Sequence, residues 1–150
     1  YSKGDERNTI HIEKEKLSLR ILPLICYEII YSGDLFSNLN FDFIVNISED
    51  GWFGKSIGPE QHFVHSIFRA IESGKYIVRS SNNGIAAIIN PIGIIEEKVE
   101  FGNTGYVDLK ENRKIQSTIF SKLGNKIFLI IILFYVLLIF LLIKLQKEKN

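Results

Sequence analysis

The feature that most limits how this chain can fold is an uninterrupted apolar run near its C-terminus. The run IFLIIILFYVLLIFLLI covers Ile127–Ile143, contains no charge, glycine or proline, and is bounded by Lys126 and Lys144. As a helix its 17 residues would extend about 26 Å, the short end of what crosses a hydrocarbon core of about 30 Å. A buried helix of a soluble domain is the alternative, but the polar KLQKEKN that follows disfavours it. The sequence predicts one transmembrane helix over residues 127–145 and a polar tail over 146–150.

The charge balance gives no reason to expect a nucleic acid partner. The 150 residues include 18 Lys and Arg against 17 Asp and Glu, and no basic patch alternates with aromatic residues. Because Cys26 is the single cysteine, an internal disulfide is excluded. The chain begins at Tyr1 and contains no methionine. We therefore expect it to be the C-terminal piece of a longer protein.

The residues before the apolar run alternate strand and helix patterns, which is typical of a layered α/β domain with a mixed sheet. TIHIEKEKLSLRILPLI predicts two strands around the charged turn Glu13–Lys16, and FDFIVNI predicts a buried strand. A short helix is expected over Glu28–Leu39. We place this domain at residues 1–110 and a polar juxtamembrane linker at residues 111–126.

The second half of the domain carries a strong helix pattern and a hairpin signal. PEQHFVHSIFRAIESG predicts a helix that has Pro59 in its first turn and stops at Gly74. Its predicted apolar face comprises Phe63, Ile67, Ala70 and Ile71. The tripeptide NNG between two strand patterns predicts a tight hairpin. Further strands are expected near Ile94–Val99 and Gly105–Leu109.

Cys26 lies where the apolar strand Ile21–Ile25 ends and a helix is expected to begin. Backbone N–H groups of a helix's first turn point toward the space into which such a side chain projects. That arrangement can stabilise a thiolate and donate hydrogen bonds to an oxyanion. The alternative is a small buried apolar residue, as most lone cysteines are. Glu28 opposes activation because a nearby carboxylate disfavours the thiolate, so a cation and a proton acceptor must come from elsewhere.

Several other side chains are candidates for a site. Trp52, in the loop EDGWFG, is interpreted either as a wall of a substrate-binding site or as a loop anchor. His62 and His65 lie three residues apart on the predicted helix, but with no third ligand evident they are interpreted as packed or solvated rather than metal-binding. Arg69 and Glu72 predict a structural ion pair one helical turn apart. Turn formation is the interpretation for the remaining polar positions, which are Asn46, Asp50 and the stretch SSNNG.

Taken together, these blocks resemble a known family. LPLICYEIIY, NISEDGWFGKSIGPEQH and FRAIESGKYIVRSSNNGIAAIINPIG, followed by a membrane helix, resemble the apolipoprotein N-acyltransferases. These form the membrane-embedded branch of the carbon–nitrogen hydrolase (nitrilase-like) superfamily. The resemblance covers residues 15–145. C-Y-E alone would be a weak signal, but its combination with D-G-W-F-G, R-A-x-E and N-N-G is specific.

The resemblance implies a nitrilase-like α-β-β-α sandwich with a Glu–Lys–Cys triad, no cofactor and no metal. Cys26 would be the nucleophile, taking an acyl chain from a phospholipid as a thioester. It would pass that chain to the α-amine of the lipid-modified N-terminal cysteine of an apolipoprotein. The backbone N–H of Tyr27 would hold the oxyanion, and Glu28 would support the site. The family's base Glu and its Lys lie well upstream of the cysteine, so both are expected outside these 150 residues and the chain alone is expected to be inactive.

The resemblance also implies the bacterial inner membrane, with the catalytic domain facing the periplasm. Two other functions stay open. One is a soluble-type amidase or nitrilase relative that hydrolyses C–N bonds, which the membrane helix and C-Y-E disfavour. The other is a non-catalytic, membrane-anchored remnant of a split gene, which the expected position of the base Glu and the Lys outside the chain keeps open.

Overall fold

In the computed structural model, six strands form one mixed sheet whose spatial order follows the order of the strands along the chain. The structure describes residues 8–15, 17–33, 35, 40–110 and 115–148. The strands are β1 Ile10–Lys14, β2 Leu17–Ile25, β3 Phe43–Glu49, β4 Tyr76–Asn82, β5 Ala86–Ile89 and β6 Ile95–Val99. The helices are α1 Gly58–Ser73, α2 Ile119–Leu123 and α3 Lys126–Lys147. The predicted α/β class with a mixed sheet is confirmed.

The middle of the sheet is parallel. β2 pairs with β3 and β3 with β4 in parallel, while the outer pairings are antiparallel. A parallel pair requires a crossover connection, which α1 supplies between β3 and β4. Near the carboxyl ends of these strands the register places Asn46 between Leu24 and Arg79. Three strand ends therefore meet at one edge of the sheet, where α/β proteins place their ligand sites.

The NNG tripeptide forms the predicted hairpin between β4 and β5. Asn83 has φ of +52°, in the left-handed region that Asn tolerates better than most residues. Gly84 meets a second requirement, because a Cβ at this position would collide with the carboxylate of Asp50. The hairpin thus allows the β4–β5 turn to close directly over Asp50.

Helix α1 has Pro59 in its first turn and ends at Gly74 in the left-handed conformation, as predicted. Its buried face differs from the predicted apolar face. Phe63 and Ala70 are buried, but Ile71 is 45% exposed, so the assignment of Ile71 to that face is wrong. Polar residues are buried on the helix instead, namely His62, Ser66, Arg69 and Ser73. Apolar periodicity misses such positions because polar side chains can be buried when they hydrogen-bond to one another.

Apolar clusters cover both faces of the sheet. The larger cluster lies on the α1 side and includes Leu24, Ile29, Ile44, Phe63, Ala70, Ile77 and Ile89. On the opposite face, Phe43, Tyr76 and Ile88 are buried together with packing from Val107 and Leu109. The segment after β6 therefore covers part of the second face.

The strand predicted over Gly105–Leu109 is not formed. This segment is irregular, and the backbone N–H of Asp108 donates to the carboxylate of Glu97 on β6 at 3.0 Å. The Glu97 carboxylate therefore accepts a backbone N–H that would otherwise be used in strand pairing. The alternation of Val107 and Leu109 reflects packing against the sheet rather than strand pairing.

The helix predicted over Glu28–Leu39 is replaced by a shorter element. A 3-10 turn covers Cys26–Ile30, and Tyr31 returns to an extended conformation. Arg69 Nη1 donates to the carbonyl of Ile30 at 3.0 Å, so a bond from α1 satisfies this end of the turn. The remaining predicted residues 34 and 36–39 lie outside the described residues, as do residue 16 of the charged turn, 111–114 of the linker and 149–150 of the tail.

The C-terminal helix α3 matches the predicted apolar run and is longer at both ends. Its 22 residues, Lys126–Lys147, include a stretch with mean hydropathy of 3.2, of which none is buried within the protein. By length and composition, α3 can cross a membrane. The short helix α2 precedes it within the predicted linker, and the Thr118 side chain accepts the N–H of Ser121 at the start of α2.

The start of α3 lies beside the loop that follows the Cys26–Ile30 turn. A Cβ on Gly124 would collide with the carbonyl of Gly33, and a Cβ on Gly33 would collide with the side chain of Asn125. The close approach of the two segments therefore requires glycine at both positions. Asn125 Nδ2 donates to the carbonyl of Ser32 at 3.4 Å. The apolar helix and the turn that carries Cys26 are therefore joined through one contact region.

Candidate active site

Cys26 stands at the junction that the sequence predicts, directly after β2 and at the first position of the 3-10 turn. The thiol is partly buried. Its backbone has φ of +48°, a left-handed conformation that costs a residue with a Cβ on the order of 1–3 kcal/mol. Such strain persists where surrounding contacts impose it, and these positions cluster at functional sites. The residues that contact Cys26 are therefore candidates for a functional site.

Glu28 is bound to the backbone of the same turn. Its Oε2 accepts the N–H of Ile25 at 2.7 Å, three residues back along the chain. The carboxylate is thus directed to the end of β2, where it satisfies a backbone donor at the start of the turn. This geometry fits the predicted supporting role of Glu28, which stays a prediction.

A buried group of five polar side chains, here called the Asp50 cluster, lies behind the turn. Its members are Asn46, Ser48, Asp50, His62 and Arg79, and each is at most 6% exposed. Asp50 Oδ2 accepts from Arg79 Nη2 at 2.7 Å, and Asp50 Oδ1 lies 2.8 Å from His62 Nδ1 and 2.6 Å from Ser48 Oγ. Both carboxylate oxygens of Asp50 are therefore occupied. Arg79 also donates to Asn46 Oδ1 and to the carbonyl of Ile85.

The charges in the cluster stabilise each other. Burial alone raises a carboxyl pKa, but hydrogen bonds from His62 and Ser48 and the charge of Arg79 hold the pKa of Asp50 well below its usual range. Burial lowers the pKa of Arg79, and the charge of Asp50 opposes that effect. A negative charge on Cys26 acts on the pKa of Arg79 in the same direction as Asp50, with a smaller effect.

Three members of the Asp50 cluster contact Cys26 directly. His62 Nε2 lies 3.3 Å from the Cys26 carbonyl oxygen, and Asn46 Nδ2 donates to the same oxygen at 3.4 Å. Ser48 Oγ lies 3.7 Å from Cys26 Sγ. Within the part of the chain that the structure describes, Ser48 is the hydrogen-bonding neighbour of the sulfur. The cluster thus contacts both the backbone and the side chain of Cys26.

The sequence reasoning missed this cluster. Asn46 and Asp50 were expected to shape loop turns, and His62 was expected to be packed or solvated; it is packed, but in a polar network. Two features of the sequence are nevertheless consistent with the cluster. Asn46 and Ser48 alternate along a strand that ends beside Cys26, and His62 occupies a position next to Phe63 on the buried face of α1. The predicted ion pair between Arg69 and Glu72 is confirmed at 2.7 Å.

Trp52 lies in a second 3-10 turn, Gly51–Phe53, which follows β3. Its side chain is 88% exposed, so it does not anchor the loop by burial. The neighbouring Phe53 packs instead, with its ring centroid 5.6 Å from that of His62. A role for Trp52 as a substrate-binding wall stays a prediction, and the exposed indole is free to contact a bound molecule or another chain.

A small cavity opens beside the Cys26–Ile30 turn and has a volume of about 90 Å³. It is lined by Tyr27, Ile30, Phe53, Gly58, Gln61, His62 and His65. The ring of Tyr27 lies 5.5 Å from that of His62, measured between centroids. Among the described residues, no group of three or more His, Cys, Asp and Glu side chains is arranged to hold a metal ion.

Relatives of the chain share a common name. Proteins named apolipoprotein N-acyltransferase from Rickettsia bellii, Rickettsia prowazekii and Wigglesworthia glossinidia brevipalpis are 45%, 42% and 40% identical over 132, 144 and 133 residues. These alignments cover 87%, 95% and 87% of this chain but 26%, 28% and 27% of the relatives. The chain therefore spans about a quarter of the length of the curated relatives it matches.

A solved structure is similar in fold. A carbon–nitrogen hydrolase superfamily protein from Xanthomonas campestris superimposes with a TM-score of 0.52 at 17% identity, covering 69% of this chain and 43% of that chain. At this identity the likeness concerns the fold alone. The carbon–nitrogen hydrolase family itself matches residues 3–114, which is most of the chain before α2. The chain belongs to the carbon–nitrogen hydrolase family.

Proposed function

We propose that this chain is the nucleophile-bearing part of an apolipoprotein N-acyltransferase, with Cys26 as the nucleophile. The observation that carries the proposal is the placement of Cys26. It sits in a left-handed conformation at the end of a central parallel strand, with a buried polar cluster bonded to its carbonyl. The shared name of relatives at 40–45% identity supports the choice of reaction.

The chemistry divides into two acyl transfers. In the first, Cys26 Sγ attacks the ester carbonyl of a phospholipid, a thioester forms, and the lysophospholipid leaves as an alcohol that takes up a proton. In the second, the α-amine of the lipid-modified N-terminal cysteine of an apolipoprotein attacks the thioester. An amide forms, the amine loses a proton, and the thiol is regenerated. No redox step or cofactor is required.

Each transfer develops negative charge on a carbonyl oxygen and needs a base. The backbone N–H of Tyr27, in the first turn after Cys26, is the proposed oxyanion donor, and Glu28 supports the turn through its bond to Ile25. By the family resemblance, the base Glu and the Lys would come from residues outside these 150. Trp52 is proposed to contact the acyl chain or the acceptor.

The membrane helix supports a lipid as the acyl donor. The close contact of Gly33 with Gly124 and the Asn125–Ser32 hydrogen bond hold the start of α3 beside the loop after the Cys26 turn. If α3 spans the bilayer, Lys126 and the loop that follows the Cys26 turn both lie near the headgroup layer. We propose the bacterial inner membrane, with the domain on the periplasmic side.

The test uses the gene product extended upstream as far as its reading frame allows. Cys26→Ala is expected to abolish transfer of a labelled acyl chain to a diacylglyceryl peptide while the protein remains in the membrane. Cys26→Ser is expected to be almost as inactive, since a hydroxyl is a poorer nucleophile at neutral pH. Ser73→Ala, which removes a buried hydroxyl elsewhere on α1, is the control and should retain transfer. Wild-type turnover by Cys26→Ala would refute the proposal.

A second candidate is hydrolysis of C–N bonds, which the family's own description favours. It predicts release of an amine or ammonia from simple amides by the wild type, with Cys26 as the nucleophile in both cases. Assaying amide hydrolysis beside acyl transfer separates the two functions. Hydrolysis without transfer would favour the amidase, and a failure of both in a folded protein would favour a non-catalytic remnant.

A further inference from the structure

We propose that His62 is a positioning residue that holds the backbone of Cys26 in its strained conformation and thereby aims the thiol at the substrate carbonyl. This inference rests on the proposed function and adds to it a residue and a contact outside the Glu–Lys–Cys triad. It concerns how the nucleophile is oriented, and not which group accepts its proton.

The strain at Cys26 requires a partner. With φ of +48°, Cys26 leaves the extended conformation of β2 directly after the last residue that pairs with β3. Its carbonyl oxygen lies 3.3 Å from His62 Nε2 and accepts from the side-chain amide of Asn46 at 3.4 Å. These side-chain contacts tie the carbonyl of the strained residue to α1 and β3. Loss of one of them weakens the restraint on the conformation.

His62 is well suited to this role because it is itself held in place. Its Nδ1 lies 2.8 Å from Asp50 Oδ1, which directs the opposite nitrogen, Nε2, toward the Cys26 carbonyl. The two oxygens lie on opposite sides of the ring, so each ring nitrogen faces one of them. The ring is buried, 2% exposed, and packs between Tyr27 and Phe53. These contacts restrict rotation of the ring.

Asp50 in turn is fixed by Arg79. The guanidinium donates to Asp50 Oδ2 at 2.7 Å and to the carbonyl of Ile85 at 3.2 Å, which ties the carboxylate to β4 and to the chain leading into β5. A chain of contacts therefore runs from the sheet through Arg79, Asp50 and His62 to Cys26. Because its links are buried and hydrogen-bonded, it can hold the nucleophile to the small tolerance that acyl transfer requires.

The test compares two amide variants that each keep one of the two ring contacts. In His62→Gln the side-chain amide reaches the position of Nε2 and can donate to the Cys26 carbonyl. In His62→Asn it reaches only the position of Nδ1 and can contact only Asp50. His62→Ala keeps neither contact. Ser73→Ala is again the control for a buried polar truncation on the same helix.

Acyl transfer is measured with the extended gene product, as kcat and KM for the diacylglyceryl peptide. His62→Ala is expected to lower kcat about 10²-fold with KM unchanged, the effect of a misplaced reacting atom. The kcat of His62→Asn should be as low as that of His62→Ala. The kcat of His62→Gln should be roughly tenfold higher than both. Alkylation of Cys26 by iodoacetamide, followed by mass spectrometry of the Cys26 peptide, should continue in all three variants because a small reagent needs no alignment.

Two outcomes would overturn the inference. If His62→Asn is as active as His62→Gln or more so, the contact with Asp50 and general stability explain the residue. If all His62 variants keep wild-type kcat while Cys26→Ala is inactive, positioning by His62 fails and the proposed function stands. An active Cys26→Ala would instead refute the proposed function itself, so the two failures are distinguishable.

Discussion

At the scale of single residues, the ion pair of Asp50 with Arg79 dominates the energetics of the site. Both side chains are fully shielded from solvent. Removing one partner of such a pair leaves the other charge buried without compensation, which typically costs about 3–5 kcal/mol. The pair therefore makes the stability of the domain depend on the charge of one carboxylate.

Asp50→Asn is expected to lower the free energy of unfolding by about 3–5 kcal/mol at neutral pH, since Arg79 loses its counter-charge. The folded-state pKa of Asp50 lies below its unfolded value. Its contribution to stability is therefore complete above about pH 5 and is lost progressively as the pH falls below about 4. The difference in free energy of unfolding between wild type and variant should therefore narrow over that acidic range. Urea unfolding at several pH values in detergent, read by pulse proteolysis, measures this difference.

The matched control for this prediction is Glu100→Gln, an acid-to-amide change in the exposed pair of Glu100 with Lys98. Exposed pairs contribute little, so the control should behave like the wild type. A difference between Asp50→Asn and wild type that stays constant from pH 7 to about pH 2 would contradict the account, because it would show that the charge of Asp50 is not what stabilises the fold.

How far the site could be predicted differs from residue to residue. The position of Cys26 at the end of β2 was predicted correctly because its signal is local: an apolar strand that ends at a polar, helix-forming stretch. Its role as the nucleophile stays a prediction. Its partners could not be located in the same way. His62 and Arg79 reach the same point only through the register of three parallel strands and the crossover of α1. Periodicity records which face a residue occupies but not which distant residue lies opposite.

At the scale of elements, patterns with a strong period or a specific turn signal were predicted well. Helix α1, the β4–β5 hairpin and α3 appear close to their predicted bounds. The predictions that failed concern elements in which a side chain replaces a backbone hydrogen-bond partner. Glu97 takes the N–H of Asp108, and Arg69 satisfies the end of the turn at Ile30. Both contacts depend on the tertiary structure, so local propensity could not reveal them.

Helix α3 is expected to anchor a soluble protein in the bilayer by itself. Residues 118–148 fused to a soluble reporter should remain in the membrane pellet after washing with alkaline carbonate. Replacing Leu133 and Leu137 by Lys should release the fusion, because each charge at the helix centre costs about 2.5–3.5 kcal/mol of insertion. Replacing the same residues by Ile is the control and should leave the fusion in the pellet. Release of the unmodified fusion would contradict a membrane span.

At the scale of the whole molecule, the sheet, α1 and the start of α3 converge on one region. Cys26 and Asp50 directly follow β2 and β3, the other cluster members of the sheet lie on β3 and β4, and α1 contributes His62. The loop that follows the Cys26 turn meets the start of α3 through Gly33 and Gly124. This arrangement joins the proposed nucleophile to a helix that can lie in lipid, as the proposed acyl transfer from a phospholipid would require.

The central claim is that Cys26 carries the acyl chain as a thioester. The most direct measurement incubates the extended gene product with a phospholipid labelled in its acyl chain, without any acceptor peptide. We expect a label on the Cys26 peptide that hydroxylamine removes. When a diacylglyceryl peptide is added afterwards, the label should be transferred to it as an amide. Cys26→Ala should carry no such label. A hydroxylamine-stable label, or equal labelling of Cys26→Ala, would contradict the claim.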